Sequence, residues 1–369
     1  MYYSLNWLRR YVCLPDQSPD EIALRLTMAT CEVEGVEEIR RSTEKVVVGK
    51  VLDFHGLPQS AHLRVVEVDT GDETFQTVCG APNVRKGMRS LYALPGATIA
   101  GSVLKSTTVA GERSEGMLLS PAEVGIGEYA DFIFDLGSDV GPGTPLSAVC
   151  ETTDWLIEVD NKSLTHRPDL WGHYGLAREL AAIFGVPLQP LGLIDTATFA
   201  GLPPLDVDVY DKDGCPRYCG IGIQGLRPVP APLWMQVDLL QVGLRPINLP
   251  VDLTNYVMAE LGQPMHAFDW DTVENVRIDT MQQAGPFVTL DEVTRSMLPS
   301  DLTILDGKKP IAIAGIMGGA ETEITEKTTR VFLESANFNP ATIRRTSIRL
   351  GLRTDASQRF GRGQPHANT

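Results

Sequence analysis

The chain has 369 residues, too many for one compact core and enough for two or three domains of ordinary size. Hydrophobic residues make up 43% and charged residues 21%, a balance that argues against disordered, collagen-like and membrane classes. The formal net charge of −15 argues against a protein that coats nucleic acid nonspecifically, since phosphate neutralisation drives such binding; a local patch or another subunit can still supply the basic surface.

Taken in chain order, the first clear element is a helix start at Ser18, Pro19, Asp20 and Glu21: an N-cap, a proline at the first helical position and an acid three residues after the cap. Ile22, Leu26 and Ala29 then share one face. The pattern changes after residues 32–39. Residues 46–52, 63–69 and 75–79 are short β-rich runs separated by turn residues, among them Gly56, Pro58 and the 69–72 turn. Short strands with glycine turns continue to about Ile126 and predict a small closed barrel. Helix returns after Asn161, opening at Pro168 and Asp169, burying Leu176, Leu180, Ile183 and Phe184, and ending at Gly185. The Pro-rich run 186–204 reads as a linker. Beyond Leu205, a strand at 220–224 and a helix at 232–242 mark an α+β part.

No run approaches the roughly 18 to 20 apolar residues of a spanning helix, and no apolar core follows Arg9 and Arg10, so a cytoplasmic location is expected. Of six cysteines only Cys215 and Cys219 are close together. Without a second Cys or His pair they read as free, mostly buried thiols rather than metal ligands.

Three blocks occupy the barrel region: VCGAPNVRKG at 78–87, ALPGATIAG at 93–101 and GERSEGMLLSPAEVGI at 111–126. In that order they resemble the OB-fold tRNA-binding module of synthetase-associated proteins. Such a barrel offers a strand face and loops to RNA, with Arg85, Lys86, Arg89, Lys105 and Arg113 as candidate phosphate contacts. Asn83, Ser114 and Gly116 have a plainer reading as loop-shaping residues. The flanks YSLNWLRRYV at 3–12, CEVEGVEEI at 31–39 and VDNKSLTHRPDLWGHYGLAREL at 159–180 resemble the N-terminal domain of the bacterial phenylalanyl-tRNA synthetase β subunit. In its HRPD element, His166 and Arg167 read as a structural turn. Four further blocks, RPINLPVDLTNYVMAELGQPMHAFD at 245–269, AGIMGGAETEIT at 314–325, LESANFNP at 333–340 and LGLRTDASQRFGRG at 350–363, resemble the editing module of the same subunit.

The fold class expected is therefore multi-domain α+β: a discontinuous N-terminal α/β domain (residues 1–39 and 150–195), an inserted OB-fold barrel (40–149) and an α+β editing module (200–369). The resemblance implies tRNA(Phe) and an α subunit as partners, in an α2β2 enzyme whose ATP and magnesium bind at the α active site. No cofactor or metal is expected in this chain, which has no GxxxxGK[ST] loop. The family's subunit continues into winged-helix-like, core-like and anticodon-binding regions that are not present here, so a truncated polypeptide is expected.

Editing answers the difficulty of excluding tyrosine from a phenylalanine site by binding alone; a second site then hydrolyses the error. By resemblance its wall comprises His266, residues 315–319 with Gly318, Glu334, Thr354 and Ala356, adjoined by Thr254 and Asn255. Glu334 can accept the phenolic hydrogen bond, and Ala356 leaves room for the ring. The plainer alternatives are a packed His266, a Glu334 bridged to Arg344 or Arg345, and a helix start at Thr354 and Asp355. With no Ser-His-Asp order, the expected chemistry is attack by a positioned water, oriented by His266 and Thr254 with help from a ribose hydroxyl. Two other functions remain open: a non-enzymatic tRNA-binding or assembly module, and a free-standing trans-editing deacylase.

Overall fold

The computed structural model describes residues 1–41, 44–137, 140–366 and 369. Residues 42, 43, 138 and 139 of the expected barrel stretch, and 367 and 368 of the editing stretch, lie outside the described residues. The chain divides into two compact units. The first comprises Met1–Asn6, Glu34–Glu158 and Val229–Asp252; the second comprises Trp7–Val33, Val159–Pro228 and Leu253–Thr369. Among the described residues no helix is long and apolar enough to cross a membrane.

In the first unit, five strands pair in the order Met117–Leu118, Arg89–Ala93, Val46–Gly56, Arg64–Asp69 and Thr74–Cys79, with antiparallel neighbours. The two ends of this sheet approach each other. Glu115 N–H donates to Gln76 O at 2.8 Å, and Val78 N–H donates to Ser114 Oγ at 3.1 Å, so the sheet curls into a nearly closed barrel. Gly116 sits where the closure is tightest: its φ is 73°, and a Cβ would lie 2.4 Å from Ala93 O. Asn83 clamps a loop by exchanging hydrogen bonds with the backbone of Ile133, at 2.7 and 3.1 Å. Asn83, Ser114 and Gly116 thus have structural work in this barrel.

A second sheet in this unit pairs Tyr2–Ser4 with Thr153–Val159, which also neighbours Val33–Arg40. Buried Asp154 ties it together, accepting from Ser4 Oγ at 2.6 Å, Asn6 N–H at 3.0 Å and Gln241 Nε2 at 2.7 Å. The helix Leu233–Gln241 inserts Leu233, Val237 and Leu240 into a core with Val46, Leu91, Leu119 and Ile126. Residues 229–252 thus pack with the barrel, although the sequence grouped them with the third part. Helical periodicity shows that a helix has a buried face but not which core receives it.

In the second unit, the helix Pro19–Ala29 begins as its sequence predicts: Ser18 accepts from Glu21 N–H at 3.2 Å, and Ile22 and Leu26 are buried. Such a cap contributes about 1 kcal/mol. The next helix is His173–Phe184, not one opening at Pro168, because Pro168–Trp171 forms a 3₁₀ turn and extended Gly172 separates the two. Gly185 caps its end in the left-handed conformation, as expected. Arg167 bonds Asp169 in bidentate fashion at 2.9 and 2.8 Å and reaches Glu179 at 2.9 Å, making the HRPD turn a structural bridge. Trp7 stacks between His173 at 4.0 Å and Tyr256 at 4.6 Å.

The remainder holds two main sheets. One is mixed, ordered Val207–Val209, Val276–Thr280, Leu302–Asp306, Lys309–Ile313 and Met317–Gly318. The other is antiparallel, with Arg330–Asn337 between Arg217–Gln224 and Met265–Asp269. The central strand is buried almost throughout, enclosing the apolar residues Val331, Phe332 and Leu333 and also the polar Glu334 and Asn337. Phe268, Phe332, Phe338 and Phe360 join Ile278, Ile304 and Ile313 in one core. Truncating one such phenylalanine costs about 3–5 kcal/mol.

Candidate functional site

The register of the three-stranded sheet places His266 directly opposite Glu334. Opposite residues of antiparallel strands project to the same face, so two side chains distant in sequence meet there. The hairpin of Lys309–Ile313 and Met317–Gly318 brings its turn to that face. Together these elements enclose a cavity of about 60 Å³ lined by His266, Gly315, Gly318, Glu334, Ala356 and Phe360, with Met265 and Met317 among the other lining residues. At roughly 10–15 Å³ for each water this holds about four waters, a space on the scale of one aromatic ring.

Glu334 is 5% exposed, and burial pushes its carboxyl up to about 7, against the opposing effect of a hydrogen bond from Tyr218. The Tyr218 hydroxyl donates to Glu334 Oε2 at 2.7 Å, and burial beside that carboxylate drives the phenol well above its ordinary value. The partner of Glu334 is therefore Tyr218 rather than Arg344 or Arg345. Oε1 is left for a second donor. Burial pulls the His266 imidazole down to about 4, so it is neutral at pH 7 and has a nitrogen able to accept a proton. Its ring stands edge-on to Phe268 at 4.4 Å. Gly318 makes room for that ring: a Cβ there would lie 2.6 Å from His266 Cε1 and Nε2.

Ala356 lines the cavity from the first turn of the helix Asp355–Phe360. Thr354 does not line it. Instead it caps that helix, accepting from Ser357 N–H at 3.1 Å, while Oγ1 donates to Ile316 O at 2.8 Å and anchors the glycine-bearing turn. Buried Thr254 and half-buried Asn255 lie on the helix Leu249–Leu261, outside the cavity lining; the neighbouring Tyr256 packs on Trp7. The sequence reading missed Tyr218, whose hydroxyl reaches Glu334 only across two paired strands. Among the described residues that line the cavity there is no Ser, Thr or Cys side chain to serve as nucleophile. Among the described residues no group of three His, Cys, Asp or Glu is arranged to hold a metal ion. The six thiols are free, with Cys31, Cys79 and Cys215 buried and Cys13 and Cys219 exposed.

Residues 46–145 match the tRNA-binding domain family tRNA_bind, and residues 214–369 match the B3/4 domain family. The phenylalanine–tRNA ligase β subunit of Solibacter usitatus is 42% identical over 372 residues, covering 100% of this chain and 46% of that protein. The chain is homologous to phenylalanine–tRNA ligase β subunits. The counterpart from Porphyromonas gingivalis is 41% identical over 98% of this chain and 46% of its own length, and that from Oceanobacillus iheyensis 37% over the same shares. This chain spans about half the length of the curated relatives it matches.

The five basic candidates on the barrel are dispersed, and several have acidic partners. Arg85 pairs with Asp135, Lys86 with Asp53 at 3.3 Å and Arg113 with Glu115 at 2.6 Å, while Lys105 is exposed. Exposed pairs of this kind are worth about 0–1 kcal/mol. Arg85 and Arg89 line a common cavity; Lys86, Lys105 and Arg113 do not.

Proposed function

We propose that the chain is the tRNA-binding and editing half of a phenylalanine–tRNA ligase β subunit, working in the cytoplasm with its α subunit on tRNA(Phe). In this reading the barrel offers a surface to tRNA, and the cavity around His266 and Glu334 hydrolyses tyrosine mischarged onto tRNA(Phe). The observation that carries the editing reading is a buried carboxylate with one free oxygen in an otherwise largely apolar, ring-sized cavity. Glu334 Oε1 accepts the hydrogen bond of a tyrosyl hydroxyl, which phenylalanine lacks. Ala356 and Gly318 leave space for the ring.

Hydrolysis adds water to the ester carbonyl and breaks the bond from that carbon to the ribose oxygen. The neutral imidazole of His266 takes a proton from the attacking water and returns one to the departing ribose oxygen, which leaves as the hydroxyl, so protons balance over the turnover. Thr354 acts at one remove by anchoring Ile316 beside the cavity, which makes it a positioning residue.

A hydrogen bond to a charged group contributes about 1.5–3 kcal/mol, roughly ten- to a hundredfold in relative rate. Glu334→Ala in the reconstituted enzyme should lower the preference for deacylating Tyr-tRNA over Phe-tRNA by that factor, with circular dichroism reporting an intact fold. Full retention of the preference would move the discriminating group elsewhere.

A further inference from the structure

Within the first unit, a cavity of about 630 Å³ lies between the barrel and the segments flanking the helix Leu233–Gln241. Its volume falls in the roughly 300–1,000 Å³ range of small-ligand sites. The barrel contributes Lys50, Arg85 and Arg89, and Asp135 is the one carboxylate among the described lining residues. Val229, Pro230 and Leu249 supply an apolar wall. In a chain of net charge −15, this is a local concentration of positive charge.

Arg89 is the decisive residue. Its Nε and Nη1 are shielded from solvent and have no hydrogen-bond partner among the described residues. A guanidinium withdrawn from water without an acceptor is costly, and an anion drawn to it offsets that cost. Lys50 stands directly opposite Arg89 on the neighbouring strand, a like-charge pairing that is unfavourable unless something negative lies between them. Asp135 is engaged by Arg85. Asp69, opposite Lys50 on its other side, accepts from Gly71 N–H at 2.8 Å and forms no ion pair with Lys50 among the described residues.

We propose that this cavity binds one nucleotide, its phosphate between Lys50 and Arg89 and its sugar and base against Val229, Pro230 and Leu249. The phosphate lies against Lys50 and Arg89, which both line the cavity, and the base takes the apolar wall that a bare inorganic anion would leave uncovered. The acidic remainder of the chain disfavours a long duplex, so the ligand is a free nucleotide or one unit of a single strand. The site shares no residue with the editing cavity and stands without the editing reading.

Isothermal titration of the full chain with AMP, triadenylate, adenosine and inorganic phosphate tests this. The tighter of AMP and triadenylate should bind at least about tenfold better than adenosine or phosphate, and which of the two is tighter identifies the source as free nucleotide or RNA. Lys50→Ala and Val229→Trp each should weaken that binding at least about tenfold; Val229 is 45% exposed, so the indole can fill the cavity mouth without disturbing the core. Binding in the editing cavity would be untouched by either variant. Binding no tighter than that of adenosine or phosphate, or wild-type affinity in either variant, overturns the proposal.

Discussion

Glu334 should make the second unit lose stability as pH rises. Its carboxyl is at about 7 in the folded protein against an ordinary 4.5, with burial as the main cause. Between those values the folded state holds more protons than the unfolded state, so stability falls with rising pH across this window and the loss is complete above 7. A difference of about 2.5 pH units corresponds to about 3 kcal/mol. Glu334→Gln keeps the shape and an oxygen for the Tyr218 hydroxyl while removing the titration. Urea unfolding of both proteins from pH 5 to pH 8 should show the variant gaining about 2.5 kcal/mol on the wild type over that range. The buried histidines tilt the curve in the opposite direction, but they do so in both proteins and cancel in the difference. Parallel curves would refute the reasoning, since they would mean that Glu334 carries its charge at no cost or is solvated in the folded state.

Gly318→Ala should displace the His266 ring, since its Cβ would lie 2.6 Å from that ring; about 1–3 kcal/mol of stability and at least about tenfold in Tyr-tRNA deacylation should be lost, by urea titration and deacylation assay. Ala356→Trp should fill the cavity and abolish Tyr-tRNA deacylation while the circular dichroism spectrum stays that of the wild type. His173 is 2% exposed, with its pKa pulled down to about 3 by burial, so its protonation favours unfolding as pH falls below 6.5. His173→Phe should flatten that acid limb by about 3 kcal/mol in melts from pH 7 to pH 4, and an unchanged limb would show that another group controls it.

Local signals in the sequence translated well into local structure. Ser18 caps its helix and Gly185 ends another, because both depend on a few neighbouring backbone groups. Motif resemblance groups Glu334, His266, Ala356 and Gly318, and they line one cavity. Their environment was not legible. The elevated Glu334 carboxyl depends on burial by strands far apart in sequence and on Tyr218, 116 residues away. Thr254 and Asn255 share a motif with Tyr256, yet a helix turns successive residues to different faces, so a motif need not face one site. The assignment of residues 229–252 to the barrel's unit depended on which core was available, information that hydrophobic spacing does not contain.

The buried Asp154 has a consequence for biogenesis. Besides the adjacent Trp155 N–H, its donors lie 150, 148 and 87 residues from it along the chain, so no local stretch can complete this junction. The last donor, Gln241, emerges from the ribosome roughly 4–17 s after Asp154 at translation rates of about 5–20 residues per second. During that interval the nascent chain holds an ionisable group whose final enclosure has not yet been made. Slowing synthesis between residues 154 and 241 should lengthen the time for which this junction stays open.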